Sequence, residues 1–480
     1  MAKLARHWTV AAAVCAAFAA LVFSCSGGGG VDVDDDTYPS QVIDLRVTAV
    51  TPTTVSLEWT APGDDDTVGT AAEYDLRYKT GQLSWENWDA AVPVSGEPAP
   101  SPSGSPDSMV ISGLTEDSTY CFGIKTKNHA GAWSWLSNIP TATCFDDFVV
   151  TFPDARLDEI IRTKIAIPTG AIHRSDLLPV TQLFANDQTI ADLPGLEYCI
   201  NLEVILMWNN QVSDLSPLSD LVKLRTLQIG YNRIDDISPL AGLVNLQQLH
   251  LHENYNIADI SALSGMTRLS DVHLGGNNVS DISALAGKTA MTILVLERNN
   301  ISDVSPLAGM TELTHLYLYD NQVSDISSLA ASTKMVALNL WDNDVSDISV
   351  IAGMTKLEEL YLIGNQIANI GALENLAALQ KLYLSENPAL ADISALSGLT
   401  ALVDLQIQNC AVIDVTALQG LPNLQKLVLN NNQIADIAPL AANMGLGSGD
   451  LLYLVGNPLS KESVDVHIPA LEGRGVTVYR

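Results

Sequence analysis

The chain has 480 residues, with 24 Lys and Arg against 55 Asp and Glu, for a formal net charge of −31 at pH 7. A chain this acidic is repelled by phosphate backbones and anionic headgroups, which excludes nucleic acid and a bare anionic membrane surface as direct partners. With 47% hydrophobic residues over this length, more than one packed domain is expected.

At the start, Lys3 and Arg6 precede an apolar run from Val10 to Phe23. The run is short for a membrane span and has the layout of a secretory signal. It ends Leu21-Val22-Phe23-Ser24-Cys25, followed by Ser26 and four glycines. This resembles a bacterial lipoprotein signal, which implies a signal peptide over 1–24, cleavage before Cys25 and lipid on the Cys25 thiol. Phe23 departs from the small residue usual at that place. An ordinary signal peptide that happens to contain Cys25 is the alternative. Residues 25–38, with their glycines and Asp32 to Asp36, suit a flexible acidic tether. Several acyl chains would make the lipid the only membrane attachment needed. Ser26 after the cysteine resembles outer-membrane sorting, so the expected place is the cell envelope, at the outer membrane or cell surface.

Residues 39–146 alternate in the manner of strands: Val55-Ser56-Leu57-Glu58-Trp59, Tyr74-Asp75-Leu76-Arg77-Tyr78 and Tyr120-Cys121-Phe122-Gly123-Ile124-Lys125. Their length fits one β-sandwich. Trp59, Tyr74, the Leu114-to-Tyr120 corner and the segment Asn128 to Ser134 resemble a fibronectin type III domain. No Arg-Gly-Asp occurs, so an integrin-type role has no support. Ser95 to Asp107, rich in Pro, Ser and Gly, is expected to be a long mobile loop. Cys121 and Cys144 fall on the expected last two strands, and a disulfide between them is expected in an oxidising compartment. The domain reads as a spacer, with a binding role of its own as the alternative.

Residues 147–179 hold apolar Leu157, Ile160, Ile161 and Ile165 on one helical face, as a helical N-terminal cap would. From 180 to 457 one pattern recurs: leucine, two residues, leucine, one residue, leucine, two residues, asparagine. It starts at Val180, Leu202, Leu224, Leu246, Leu269, Met291, Leu313, Met335, Leu357, Leu379, Leu402 and Leu424. Steps are 22 residues except two of 23, Leu246 to Leu269 and Leu379 to Leu402. Such short repeats must stack to bury their apolar side, giving a solenoid with one parallel sheet. Asparagine closes most copies; Gln188 and Cys410 take two of its places, Cys410 as a packing variant. An aspartate recurs before the expected helical turns, for instance Asp325, where it can accept free backbone N–H groups; only Asn369 departs. A calcium-binding carboxylate ladder is the disfavoured alternative, for want of six to eight oxygens. The pattern resembles the bacterial leucine-rich repeats of the internalin type, which implies an α/β solenoid with its parallel sheet on the concave face. Residues 458–480 read as the C-terminal cap.

Within each strand, the side chains between the leucines are expected on the sheet's open face, and these places include Trp208, Tyr231, Tyr317, Tyr319, Trp341, Tyr361, Tyr383 and Tyr453. Residues 180–454 hold ten Trp or Tyr, so eight in these places is a concentration of rings on one face. Such rings suit a binding site; the strand preference of aromatics is the competing explanation. Tyr317, Tyr319, Trp341, Tyr361 and Tyr383 are expected to form one patch. His250 and His273 hold the same place on adjacent rungs, so their rings should lie near 5 Å apart. They read as a solvated stacked pair in preference to a metal site, which Asp271 or Glu253 would have to join.

Neither Gly-x-Ser-x-Gly nor His-Glu-x-x-His occurs, and Gly287-Lys288-Thr289 keeps the repeat register in place of forming a phosphate loop. The sequence thus describes a multidomain protein that is not an enzyme: an all-β sandwich followed by an α/β solenoid, with no catalytic residues, cofactor or metal. Its expected function is recognition of a protein partner through Trp208, Tyr231, Tyr317, Tyr319, Trp341, Tyr361 and Tyr383. A glycan ligand or a purely structural envelope role are the alternatives.

Overall fold

The computed structural model describes residues 38–480; the signal segment and Cys25 lie outside the described residues. The chain divides after Asp146 into two units, each described by itself.

The first unit is a sandwich of β1 (Arg46–Val50), β2 (Thr54–Thr60), β3 (Glu73–Thr80), β4 (Val92–Pro93), β5 (Pro106–Ser112), β6 (Thr119–Lys127) and β7 (Thr141–Thr143). Its sheets run β1-β2-β5 and β4-β3-β6-β7, with antiparallel pairing. Alternation sends Val55, Leu57 and Trp59 inward from β2, and Tyr74, Leu76, Phe122 and Ile124 inward from β3 and β6. Trp59 meets the Tyr74 ring edge-on at 5.2 Å. The Tyr74 hydroxyl donates to the buried Asp107 carboxylate at 2.8 Å. The Tyr120 hydroxyl accepts from Thr115 N–H at 3.0 Å and closes the expected corner.

Two expectations fail here. Cys121 and Cys144 are both free thiols. Cys144 sits in the sandwich core, whereas Cys121 packs outside it with Leu83, Trp88 and Ala91. The cause is strand parity: Tyr120 and Phe122 point inward, so Cys121 points outward and cannot reach an inward thiol. The segment from Ser95 to Asp107 is not a free loop. Ser103 N–H donates to Gly69 O at 3.1 Å, Gly104 N–H to Ala61 O at 2.9 Å and Ser101 N–H to Asp107 at 3.0 Å. Its last two residues already belong to β5.

The second unit opens with the helix Ala155–Ile165. Asp154 caps it, accepting from Arg156 and Leu157 N–H, and its other oxygen accepts from Ala191 N–H at 2.9 Å, tying helix to first rung. Leu157 and Ile161 are fully buried against the repeats. A 14-stranded parallel sheet follows, from Gln182–Phe184 to Thr477–Tyr479. The register keeps leucine over leucine, as in Leu227↔Leu249 and Leu360↔Leu382. The last strand follows the helix Ile468–Gly473, so the C-terminal segment covers the end and adds a rung.

Side-chain amides carry the turn after each strand. Asn343 donates to Leu318 O at 3.0 Å, on the previous rung, and to Leu340 O and Trp341 O at 3.1 Å. Its own oxygen accepts from Val323 N–H at 2.9 Å. The same acceptor bond recurs twenty residues back on the other rungs with 22-residue steps, as at Asn232 and Asn365. It fails after both 23-residue steps. Asn277 Oδ1 has no partner. At Cys410 the corresponding Leu390 N–H donates instead to Asn387 O at 3.0 Å. The extra residue moves the N–H away from the column, which is why a cysteine is tolerated there. The aspartates behave as expected: Asp325 Oδ1 accepts from Ser327 N–H and Asp347 Oδ1 from Ser349 N–H, each at 2.8 Å. Those bonds hold both carboxyls below the usual carboxylate range.

Candidate functional site

The sheet's open face carries the columns of residues between the leucines. Trp208, Tyr231 and Trp341 are 39%, 47% and 43% exposed, and Tyr317, Tyr319, Tyr361 and Tyr383 are half-buried. The five rings from Tyr317 to Tyr383 do not make one stack. Tyr319 and Trp341 pair at 6.2 Å, and Tyr361 meets Tyr383 edge-on at 5.0 Å. Tyr317 pairs with His315 at 6.5 Å. Asn339 separates Tyr317 from Tyr361 in the ladder, with its oxygen accepting from Trp341 N–H at 3.0 Å.

Charges hold the second pair. The first strand residue of four successive rungs is Glu359, Lys381, Asp404 and Lys426. Lys381 Nζ lies 2.7 Å from Glu359 and Lys426 Nζ 3.3 Å from Asp404. Tyr361 donates its hydroxyl to Glu359, and Tyr383 donates to Asp404, both at 2.8 Å. The ion pair with Lys381 keeps Glu359 charged at lower pH than usual. Burial and then the carboxylate neighbours raise both phenols, Tyr383 to about 12. The hydroxyls therefore stay protonated as donors, and each ring is pinned at both ends. Preorganised rings cost less entropy to engage a ligand.

The matches to known proteins follow this division of the chain. The family described as Leucine Rich repeats (2 copies) matches residues 200–242, 244–287, 289–331, 333–377, 355–398 and 400–442. The Fibronectin type III domain matches residues 38–140. An internalin from Listeria monocytogenes is 34% identical, covering 68% of this chain and 88% of its own, at a TM-score of 0.56. The chain belongs to the internalin-type leucine-rich-repeat family. Two more distant structures show the fold alone. The functional domain of InlJ from Listeria monocytogenes is 20% identical, covering 67% of this chain and 78% of its own, at a TM-score of 0.52. A leucine-rich-repeat protein of Leptospira interrogans is 19% identical, covering 62% and 84%, at a TM-score of 0.53. A search of curated proteins finds no match.

Within this internalin-type array three features were missed in the sequence. Tyr231 is not a strand residue. It sits directly before Asn232, in the left-handed turn position (φ 53°) that Gly276, Gly364 and Gly456 occupy on other rungs. Its ring meets His252 edge-on at 5.1 Å, away from the Tyr317-to-Tyr383 group. Asp404 and Lys426 went unnoticed, although alternating charge in one column was there to be seen. His250 and His273 stack at 3.8 Å, and they are largely rather than fully withdrawn from solvent: their side chains are 14% and 28% exposed, with Asp271 between them at 15%.

The residues with reactive potential are engaged elsewhere. Lys288 is 1% exposed and donates to Leu263 O at 2.7 Å and Met266 O at 3.3 Å, so its ammonium cannot reach a phosphate. Burial pushes the Cys199 thiol up to about 12 and raises Cys410 as well, which keeps both protonated. Among the described residues no helix is long and apolar enough to cross a membrane.

Proposed function

We propose that this protein is held in the cell envelope by lipid on Cys25 and recognises a protein partner through the open, concave face of its repeats. The fibronectin-like domain, 39–146, serves as a stalk on the 25–38 tether. The observation that carries the reading is the clamped pair Tyr361 and Tyr383 on the open face, with Glu359 and Lys381 fixed beside them and Trp341 paired with Tyr319 on the preceding rungs. Rigid aromatic side chains with a polar tip are the residue types that dominate binding energies, and fixed charges set orientation. Trp208 and Tyr231, nearer the N-terminal end, would contact the periphery of the same partner. The acidic body favours a partner with basic residues at that contact.

The test is binding of a fragment from Thr37 to Arg480 to envelope extract and to a glycan panel. It is run beside the double variant Trp341→Ala and Tyr361→Ala. A saturable signal with a protein that falls at least about tenfold in the variant supports the proposal. Equal binding by both forms moves the site off this face. Binding to glycans alone replaces the protein partner with a sugar, since flat rings also stack on sugar faces.

A further inference from the structure

On two adjacent rungs of the same face, imidazole and carboxylate groups converge. His250 Nε2 lies 3.3 Å from Asp271 Oδ1, and His273 Nε2 lies 3.0 Å from the same oxygen. The three ligating atoms all fall within 4.8 Å of one another. We propose that His250, Asp271 and His273 bind one divalent transition-metal ion of the zinc class, with water in the fourth position.

Three observations support it. The first is spacing. Tetrahedral zinc with bonds of about 2.0–2.1 Å sets its ligand atoms about 3.3 Å apart, and both nitrogen-to-oxygen separations lie near that edge. The second is want of partners. His250 Nε2 and Asp271 Oδ1 are both buried, and neither finds a partner of good hydrogen-bond geometry, although both imidazoles stand at ion-pair distance from the carboxylate. Ligand atoms that approach this closely without a well-aligned hydrogen bond are arranged for a shared cation. Left empty, they carry the cost of buried unpaired polar groups. The third is the choice of carboxylate. The buried Glu253, the other candidate ligand, pairs with Arg298. Glu297 also neighbours His273, but Asp271 is the carboxylate whose oxygen converges with both imidazoles. Two imidazoles and one carboxylate suit zinc, and an acid-only oxygen set would suit calcium.

Space for the site comes from the sequence. Gly275 follows His273 by two residues, in the column of His252 and Glu297, and a side chain there would collide with Glu297. His252, with its Nδ1 also unpartnered, stands 6.4 and 6.2 Å from the two stacked rings and remains outside the three-ligand set. The rings of His250 and His273 are nearly parallel, at 11°, so binding requires them to splay until both lone pairs meet the ion. Their partial exposure leaves room for that rotation.

The test is calorimetric titration of the full chain with zinc chloride, and with calcium chloride as the comparison. The expected result is saturable binding of one zinc per chain at micromolar affinity or tighter, with calcium much weaker. His250→Gln and His273→Gln should each weaken zinc at least about tenfold. Glutamine already occupies the same column at Gln228 and Gln406, so the repeat accepts it. Asp271→Asn, close in shape, gives a third variant with the same expectation. Cobalt in place of zinc should give the intense visible absorption of tetrahedral coordination. Absence of saturable zinc binding up to about 100 μM, a concentration well above what three ligands require, overturns the proposal. So does zinc binding left unchanged by all three substitutions, which would place the metal on scattered surface carboxylates.

Discussion

Replacing Asn343 with alanine tests what holds the rungs together. Asn343 is 8% exposed and touches three carbonyls and one N–H. The carbonyls survive its loss. Leu318 O keeps Asn321 Nδ2 at 3.0 Å, Leu340 O keeps Asn365 Nδ2 at 2.8 Å, and Trp341 O keeps Asp320 N–H at 2.8 Å. Val323 N–H has no second acceptor, and Val323 is fully buried. One orphaned buried donor costs about 1–3 kcal/mol, and the net worth of the lost bonds adds about 1 kcal/mol. The expected destabilisation of the repeat unit is therefore about 2–4 kcal/mol. Urea unfolding followed by circular dichroism measures it, with Cys410→Ala as the paired control. At Cys410 the corresponding Leu390 N–H already has Asn387 O, so that substitution should cost under about 1 kcal/mol. If the two variants unfold at the same urea concentration, the orphaned N–H is not what the asparagine column prevents, and the argument fails.

Burial, with His273 and His250 adding to it, pulls His252 down to about 4. The unfolded chain therefore binds more protons between about pH 6.5 and 4, and stability should fall as pH drops through that window. For a half-buried ring the loss is about 1–2 kcal/mol once screening is allowed for. His252→Gln should flatten the melting temperature over the same range; an unchanged slope would remove His252 as the cause. Lys288 interrupts a buried column whose neighbours are Met266 and Met310. Lys288→Met should stabilise the repeats by about 1–2 kcal/mol, because Leu263 O retains Met266 N–H at 3.0 Å; a loss in urea midpoint would contradict this. Alkylation in denaturant without reductant should modify both Cys121 and Cys144, read by peptide mass, and an unmodified linked pair would contradict the parity argument.

What could be read from the residues was whatever the repeat enforces. Leucine spacing fixed each strand, because a shift by one residue would turn Leu227 or Leu360 to solvent. Asp325 and its equivalents announced the helical turns, since their bonds span two residues. Tyr120 marked the sandwich for the same reason, since it bonds within its own corner, and Trp59 and Tyr74 did so as the large inward residues of alternating strands. The failures involve relations across strands. Cys121 and Cys144 were paired by adjacency of strands, while the alternation of Tyr120, Cys121 and Phe122 already set them on opposite faces. Rung numbers place the five rings on one face but do not show their pairing, which Asn339 interrupts between Tyr317 and Tyr361. Tyr231 was counted with the strand residues, although glycine at Gly276, Gly364 and Gly456 signalled a left-handed column. The convergence of His250 and His273 on Asp271 depends on how two rungs align, which is visible only once they are in register.

The two interruptions of the asparagine ladder divide the array into three runs of coupled rungs. In a one-dimensional stack, opening proceeds unit by unit and is arrested or released where coupling between neighbours is weakest. The seams at Asn277 and Cys410 are such places. Under force along the stack, the middle run from Asn299 to Asn387 would open and close as a block. That block carries Tyr361 with its Glu359 and Lys381 clamp, whereas Tyr383 is held by Asp404 across the Cys410 seam, so opening there would free one ring and leave the other pinned.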